Sequence, residues 1–205
     1  MKSVFALTFF LFSFTLLYAQ EDNKQETLVN GFRITSSGGY GGPSLRSSTI
    51  RGDFALLFGG YGGWYVNKKW MFGGGGYGLV TQLDVPESAS VRPTEELHYD
   101  MGYGGFMVEY ILKSDRMLHL TTHMLVGGGG ISQDLEGEPD LTEGTHSNFF
   151  VFEPGVGVEL NITDFFRLNG GLTYRLISGS DTPGIQDKDL SSMAVFLNFK
   201  FGYFN

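Results

Sequence analysis

Six charged residues in the second half of the sequence lie at alternate positions of otherwise apolar segments. Because alternate residues of a strand point to the same face, each would share a face with glycines and small polar residues. Charges enclosed on such a face can pair and stabilise a structure, or they can carry protons or ions. We predict the structural role, with a proton or ion path as the alternative. The six are Glu109, Glu153, Glu159, Arg167, Arg175 and Lys200.

The spacing of these charges predicts particular neighbours. A short turn at 163–165 would place Glu153 opposite Arg175 on the next strand. In the same register, Asn161 would lie opposite Arg167. We therefore predict a buried Glu153–Arg175 ion pair. Removing one partner of such a pair costs on the order of 3–5 kcal/mol.

Two histidines share the same polar face. His119 and His123 are four residues apart, which is about 13 Å along a strand at about 3.3 Å per residue, so one metal ion would not contact both directly. Glu109 could reach between them from a neighbouring strand. His98 and Asp100 show the same alternation and are also placed on the inner face. We predict neither a metal site nor a cofactor at these residues.

Acidic residues crowd the segment 132–148, which holds five carboxylates and no lysine or arginine. A solvated surface loop explains such a run, and divalent cation capture is the alternative. The regular spacing of a calcium-binding loop is absent from the segment. The five are Asp134, Glu136, Glu138, Asp140 and Glu143.

The composition limits what can position these residues. The 205 residues include 31 glycines, 31 aromatic residues and no cysteine, with a formal net charge of −8. The lack of cysteine excludes disulfides and thiolate metal sites, and an acidic chain with no basic run argues against a nucleic-acid partner. The glycine runs at 73–76 and 127–130 lack the Gly-Lys-Ser/Thr ending of a phosphate-binding loop.

The amino terminus has the pattern of a secretory signal peptide. A cation at Lys2 precedes an apolar stretch from Val4 to Tyr18, and a small residue then precedes a polar run. We predict cleavage between Ala19 and Gln20, with a retained membrane anchor as the alternative. The predicted organisation is a signal peptide at 1–19, an amino-terminal periplasmic segment at 20–30 and a barrel at 31–205.

The rest of the sequence alternates with a period of two. Apolar residues fill one face, whereas the other face carries glycine and isolated charges, as in a barrel with lipid outside and a crowded polar lumen. We predict an all-β, eight-stranded antiparallel up-and-down transmembrane β-barrel. A soluble exported sandwich is an alternative fold. The predicted strands are 53–66, 70–83, 97–112, 117–131, 149–162, 166–177 and 192–204, with an eighth within 31–50.

Local features refine this prediction. Within 97–112, the apolar residues lie at odd positions before Gly104-Gly105 and at even positions after it. This switch predicts a β-bulge at the two glycines. Pro43 should mark a sheet edge or a strand end, with a link between the first two strands near 43–52. Aromatic residues near the short turns predict an interfacial girdle. They are Trp64, Tyr65, Trp70, Phe165, Phe166, Tyr203 and Phe204.

The predicted links differ in length and charge. Short links at 67–69, 113–116 and 163–165 alternate with long links at 84–96, 132–148 and 178–191, as in outer-membrane barrels. The long links hold twelve acidic and two basic residues, a net charge of −10, against −9 for the chain after cleavage. We therefore expect both termini in the periplasm and acidic loops outside the cell.

The sequence resembles small eight-stranded outer-membrane β-barrels of the OmpA/OmpX-like type, such as those of Bacteroidetes. The resemblance rests on the signal ending in Ala-Gln and on the strand pair GGYGGWYVNKKWMFGGGGYGLV at 59–80, and it covers about 31–205. One departure is that Asn205 follows Phe204, whereas the family commonly ends on an aromatic residue. The family includes adhesins, structural barrels and lipid-modifying enzymes.

Three short motifs have both a functional and a structural interpretation. His146-Ser147 is similar to the pair used by outer-membrane lipid deacylases, although no acidic partner is specified. Arg51-Gly52-Asp53 spells a cell-adhesion tripeptide, and Asn161-Ile162-Thr163 fits a glycosylation acceptor. We interpret all three as polar residues of loops and turns.

The predicted function is that of an integral outer-membrane barrel without enzymatic activity, with a structural or surface-interaction role through its acidic loops. A narrow passive or gated pore and a lipid-modifying enzyme are the alternatives. The predicted partners are outer-membrane lipid, lipopolysaccharide, the barrel assembly machinery and, at the acidic loops, a divalent cation. The predicted location is the outer membrane of a Gram-negative bacterium.

Overall fold

The computed structural model describes residues 33–92, 94–135 and 146–204. The predicted signal peptide, its Ala19–Gln20 cleavage site and the 20–30 segment lie outside the described residues. Residues 34–204 belong to one compact unit.

Eight antiparallel strands close into a barrel, each paired with its neighbours in sequence and the last paired with the first. This confirms the predicted fold, and seven of the eight strands start and end within four residues of their predicted bounds. A short helix, α1 (Asp187–Leu190), precedes the last strand. The strands are β1 (Ser37–Ile50), β2 (Asp53–Val66), β3 (Trp70–Leu79), β4 (Leu97–Leu112), β5 (Leu118–Leu135), β6 (Ser147–Asn161), β7 (Phe166–Ser178) and β8 (Ser192–Tyr203).

The two ends of the barrel differ in their connections. One end, here called the short-turn end, carries the links 67–69, 113–117 and 162–165. The other, the long-link end, carries 80–96, 136–146 and 179–191 together with the two-residue turn Arg51-Gly52. The predicted alternation of short and long links is therefore present, except in the link between β1 and β2.

Side chains alternate between the outside and the inside of the barrel. Outward positions hold exposed apolar residues such as Phe58, Phe106, Leu120, Val156 and Val195, which is the pattern of a lipid-facing barrel surface. Inward positions hold buried tyrosines, charged residues and small polar residues. Among the described residues, no helix is long and apolar enough to cross a membrane.

The predicted bulge at Gly104-Gly105 is wrong. Strand β4 keeps one register with β3 and one with β5 on both sides of these glycines. The odd-numbered residues from Leu97 to Ile111 therefore all point inward. The apolar residues move from odd to even positions because the surroundings of the strand change along its length. The backbone does not shift its register.

The expectation for β1 is also wrong. Pro43 lies inside the strand, opposite Gly60 of β2, and the strand continues to Ile50. The ladder to β8 has no partners at Gly42 and Pro43, since proline has no N–H to donate. The link to β2 is a tight turn in which Arg51 and Gly52 both have positive φ, 56° and 91°, as a two-residue hairpin turn requires.

Candidate functional site

The charged residues near the short-turn end meet in the lumen. The Lys200 ammonium of β8 forms ion pairs with both Glu109 of β4 and Glu159 of β6, and all three side chains are buried. The second oxygen of Glu109 accepts a hydrogen bond from the Tyr40 hydroxyl at 2.8 Å. We call Glu109, Glu159 and Lys200, with the residues that bond them, the lysine cluster.

Two further side chains bond the Glu159 carboxylate. The Nε2 atom of His119 lies 3.1 Å from Oε1 of Glu159, and Nη1 of Arg167 donates to the same oxygen at 3.2 Å. Four of the six predicted charges, Glu109, Glu159, Arg167 and Lys200, therefore belong to one buried network. Charges in such a network are stabilised only because each has partners.

Near the middle of the barrel, Glu153 pairs with Arg46 of β1. The Tyr103 hydroxyl donates to Glu153 at 2.6 Å and accepts from Arg46 at 3.1 Å, and Thr173 donates to the other carboxylate oxygen at 3.1 Å. The guanidinium carbon of Arg46 also lies 3.5 Å from the centre of the Tyr77 ring. Arg46 was not among the predicted lumen charges. It lies at an even position of β1, as the inward-facing Tyr40 does, and this shared parity could have revealed it.

The predicted Glu153–Arg175 ion pair is wrong, although the strand register that suggested it is correct. Arg175 donates from Nε to the Leu190 carbonyl oxygen at 2.9 Å, and its Nη2 lies 3.5 Å from the Ser48 hydroxyl. Residues opposite each other on adjacent strands need not pair, because long side chains in a narrow barrel reach across the lumen. Arg175 thus holds the end of α1 in the barrel mouth.

Neutral polar side chains link further strands across the lumen. The Ser44 hydroxyl donates to Asn198 at 2.6 Å, and Asn198 donates to Asn169 at 3.3 Å. Asn169 in turn donates to the Thr121 hydroxyl at 2.8 Å. This chain connects β1, β8, β7 and β5 through buried groups.

The long-link end of the lumen is apolar. Leu83 and Ile185 from the links pack there with Leu190 of α1. The buried Gln133 amide ties two links together, since it donates to the carbonyl oxygens of Ala89 and Pro183 at 3.0 and 3.1 Å. We call this region the apolar cap. Its other members include Ile50, Leu57, Met101, Ile131, Phe149, Val151 and Ile177.

At the short-turn end, two residues of the predicted girdle lie inside the barrel. Tyr65 and Phe204 are buried, with ring centres 6.0 Å apart, and the Arg167 guanidinium stacks 3.9 Å from the Phe204 ring centre. Both were wrongly placed outside, because their neighbours in sequence take the outward positions. The outward aromatic residues at this end are exposed, as predicted, and include Trp64, Trp70, Phe165 and Tyr203.

The two histidines of the inner face, His119 and His123, have different partners. His119 bonds Glu159, whereas His123 lies opposite Glu109 and packs against Phe196 with ring centres 5.0 Å apart. Within 33–92, 94–135 and 146–204, no group of three His, Asp or Glu residues is placed to hold a metal ion.

His98 and Asp100 were predicted on the inner face and lie on the outer one. His98 is partly exposed, with Nδ1 3.0 Å from an Asp84 carboxylate oxygen, and Asp100 is exposed. The error follows from the predicted bulge, because a slip at Gly104-Gly105 would have reversed the face of every earlier residue in β4.

The three short motifs all occupy connections or strand ends. The Ser147 hydroxyl accepts the backbone N–H of Asp181 at 2.6 Å, and the Arg51 guanidinium lies 5.6 Å from the Tyr99 ring centre. The Asn161 side chain donates to two backbone carbonyls of the 113–117 turn.

Of the five predicted loop carboxylates, Asp134 lies near the end of β5, where its oxygen accepts from the Ser132 hydroxyl at 2.6 Å. Glu136, Glu138, Asp140 and Glu143 lie outside the described residues.

Solved structures share this fold. Neisserial surface protein A, from Neisseria, has a TM-score of 0.55 at 11% identity and covers 85% of this chain and 100% of its own. The N-terminal β-barrel domain of Pseudomonas aeruginosa OprF has a TM-score of 0.51 at 11% identity, covering 83% and 100%. Ail of Yersinia pestis, the attachment invasion locus protein, has a TM-score of 0.47 at 13% identity, covering 81% and 96%.

The likenesses to Neisserial surface protein A and to the OprF domain confirm the predicted small eight-stranded barrel fold. No family model matches the sequence. No curated protein matches it either.

Proposed function

We propose, from this fold, that the protein is an integral outer-membrane barrel whose sealed interior makes it a rigid scaffold for an acidic outer end. The observation that carries the proposal is the ion pair between Lys200 of β8 and Glu109 of β4. In a closed barrel of eight sequentially ordered strands, β4 and β8 face each other across the full diameter. A bond between them, together with the buried Glu159 and Tyr40 side chains that join it, places side chains across the whole width of the lumen at that level.

The remaining lumen supports the same function. Above the lysine cluster, Arg46 and Glu153 join β1 to β6, and above these the apolar cap fills the long-link end. An eight-stranded barrel is just wide enough for side chains to fill it. The proposed role is therefore structural, and the pore alternative is disfavoured.

The outer surface supports insertion in a bilayer. Its exposed apolar residues would lie against outer-membrane lipid, and the exposed Trp64, Trp70 and Phe165 would lie at the interface near the short turns. Insertion would depend on the barrel assembly machinery. The short-turn end would then face the periplasm, and the long-link end would face the outside of the cell.

The acidic character of the long-link end suggests its partners. Within 80–92 and 94–96, four carboxylates accompany the single cation Arg92, which pairs with Glu95 at 3.1 Å. A surface with this excess of negative charge favours cationic partners or divalent cations that bridge to lipopolysaccharide phosphates. Calcium titration by calorimetry tests the cation, and no heat signal at millimolar calcium would contradict it.

The scaffold proposal is tested by conductance in planar bilayers. The folded protein, identified by its heat-modifiable mobility on gels, should show no stable unit conductance. A porin of about 16–18 strands, which leaves an aqueous channel, serves as the positive control in the same bilayers. Stable unit conductance of the parent protein would overturn the proposal.

The proposed scaffold has no enzymatic activity. The Ser147 hydroxyl oxygen accepts the Asp181 backbone N–H, so this serine has a structural bond that a nucleophile would have to share. Mass spectra of lipid A from cells with and without the protein should be identical. A change in acylation that depends on Ser147 would support the enzyme instead.

A further inference from the structure

The outer wall of the barrel carries an apolar groove of about 280 Å³ near the short-turn end, where β3, β4 and β5 lie side by side. Its outward-facing lining comes from two neighbouring rows of the sheet, Trp70 with Tyr110 and Thr122, and Val108 with Met124. The other lining residue, His123, belongs to the inner face. The groove therefore opens on the apolar surface of the barrel.

The lining of the groove suits a hydrocarbon chain. On its floor, Val108 is half-buried, and the Thr122 hydroxyl donates to the Gly155 carbonyl oxygen at 3.1 Å. This hydroxyl is thus already paired within the barrel. The rings of Trp70 and Tyr110, with centres 4.6 Å apart, form one wall. An apolar chain can fill such a groove without leaving the floor hydroxyl unpaired.

Two exposed lysines lie at the end of the groove nearest the turns. Lys69 directly precedes Trp70, and its carbonyl oxygen accepts the Ile111 backbone N–H at 2.7 Å, so its backbone lies beside Tyr110. Lys113 follows Tyr110 by three residues, which is about 10 Å along a strand. Among the described residues, neither lysine side chain forms an ion pair.

The carboxylates of the short turns lie at a different surface. Asp115 and Asp164 both line the mouth of the barrel, together with Lys68. Lys69 and Lys113 do not line the mouth. No acidic residue lines the groove. The charge beside the groove is therefore positive, and a lysine ammonium is a common partner for phosphate in proteins.

The location of the groove and this charge identify the occupant. On a wall that faces lipid, the chain that fills an apolar groove is an acyl chain. Rings such as Trp70 and Tyr110, near the short turns, belong at the level of the lipid headgroups. A lysine at that level favours an anionic headgroup by about fivefold, whereas the cation of a zwitterionic headgroup offsets its phosphate.

We propose that the groove and its two lysines bind one anionic glycerophospholipid of the periplasmic leaflet, with an acyl chain in the groove and the phosphate at Lys69 and Lys113. The inference rests on the membrane insertion and orientation of the proposed function. It goes beyond that function by assigning a lipid site and the charge of the lipid.

The test uses the fluorescence of Trp70 in vesicles. The chain has two tryptophans, so Trp64→Phe leaves Trp70 as the single reporter. The folded full chain is reconstituted in phosphatidylcholine with increasing fractions of dibrominated phosphatidylglycerol or dibrominated phosphatidylcholine, whose bromines quench tryptophan on contact. The anionic lipid should bind at least about fivefold more tightly than the zwitterionic one.

Two results would overturn the site, and they separate it from the proposed function. Equal quenching by the two brominated lipids would show insertion without a preference for the anionic lipid. Absence of quenching by either lipid would contradict membrane insertion itself, and the site with it.

Two neighbouring lysines of one turn provide matched variants in the Trp64→Phe background. Lys69→Gln should lower the preference for the anionic lipid about fivefold. Lys68→Gln removes the same charge from a side chain that lines the mouth, and should change the preference little. Equal effects of the two substitutions would show a general field of the turns and would overturn the site.

The groove itself is tested by filling it. Val108→Phe places a ring on the half-buried floor and should lower the preference for the anionic lipid. Val158→Phe, at an exposed position outside the groove, should leave it unchanged. An unchanged preference after Val108→Phe would contradict a lipid chain in the groove. Heat-modifiable mobility verifies that all variants fold.

Discussion

The two halves of the lumen are built on opposite principles. Toward the short-turn end, buried charges from non-adjacent strands pair with one another, as Lys200 does with Glu109 and Glu159. Toward the long-link end, the apolar cap holds Leu190 and Met101 in an ordinary hydrophobic core. The short-turn half therefore combines paired charges with packed rings such as Tyr65 and Phe204, whereas the long-link half depends mainly on apolar packing.

The outer surface changes in the opposite sense along the same strands. On β4, the outward residues are apolar from Phe106 to Leu112, whereas His98 and Asp100 face outward nearer the long links. A strand that leaves hydrocarbon for water should show this inversion, because in lipid the apolar face must point outward and in water it must point inward. The change of polarity on β4 thus marks the proposed boundary of the membrane on the side of the long-link end.

The largest effect should come from removing the centre of the charged half. Lys200→Met leaves Glu109 and Glu159 buried without their shared cation, and a buried pair broken on one side costs on the order of 3–5 kcal/mol. Equilibrium unfolding in urea from lipid vesicles measures the loss. Lys188→Met, at an exposed position of α1, is the matched control and should change stability little. Equal stability of the two variants would contradict the pairing.

A somewhat smaller loss should follow from a cavity in the apolar half. Leu190 is fully buried in the cap, and Leu190→Ala should cost about 2–5 kcal/mol. Because Leu190 ends α1, the 179–191 link should also become easier to cleave by protease added from the long-link side. Unchanged unfolding and unchanged cleavage would show that the link does not depend on the cap.

Two arginines near the boundary between the halves should differ in their contribution to stability. Arg175→Met removes a cation that bonds the Leu190 carbonyl and leaves no carboxylate unpaired, so about 1–3 kcal/mol is expected for the lost buried bond. Arg46→Met should cost more, because it leaves Glu153 without its ion-pair partner. A larger loss for Arg175→Met than for Arg46→Met would reverse our assignment of the Glu153 partner.

The smallest effect tests how closely neighbouring strands approach each other at an inward-facing glycine. A side chain at Gly171 would collide with the Val156 carbonyl, whereas at Gly78 nothing lies within 4 Å of the added carbon. Gly171→Ala should therefore cost about 1–3 kcal/mol, and Gly78→Ala should cost almost nothing. Similar urea midpoints for the two variants would contradict the close approach of β6 and β7 at Gly171.

Most of the fold was predictable because strand alternation is a local property. The bounds of β2 (Asp53–Val66) and β4 (Leu97–Leu112) agree with the prediction at both ends. Strand β1 was harder, since its inward face mixes Tyr40, Ser44 and Arg46 and it contains Pro43. The predicted bulge was wrong because sequence alternation shows only which face of a strand is apolar. On β4, the apolar face changes from inward to outward without any change in register.

The sequence by itself determined which side chains are enclosed, since a period of two places Glu109, Glu153, Glu159 and Lys200 on one face regardless of the partners. Only the tertiary structure decided which of them meet. Closure brings β4 opposite β8 and lets Arg46 reach Glu153. Pairing across a lumen depends on strand tilt and side-chain length, which no pattern along a single strand records.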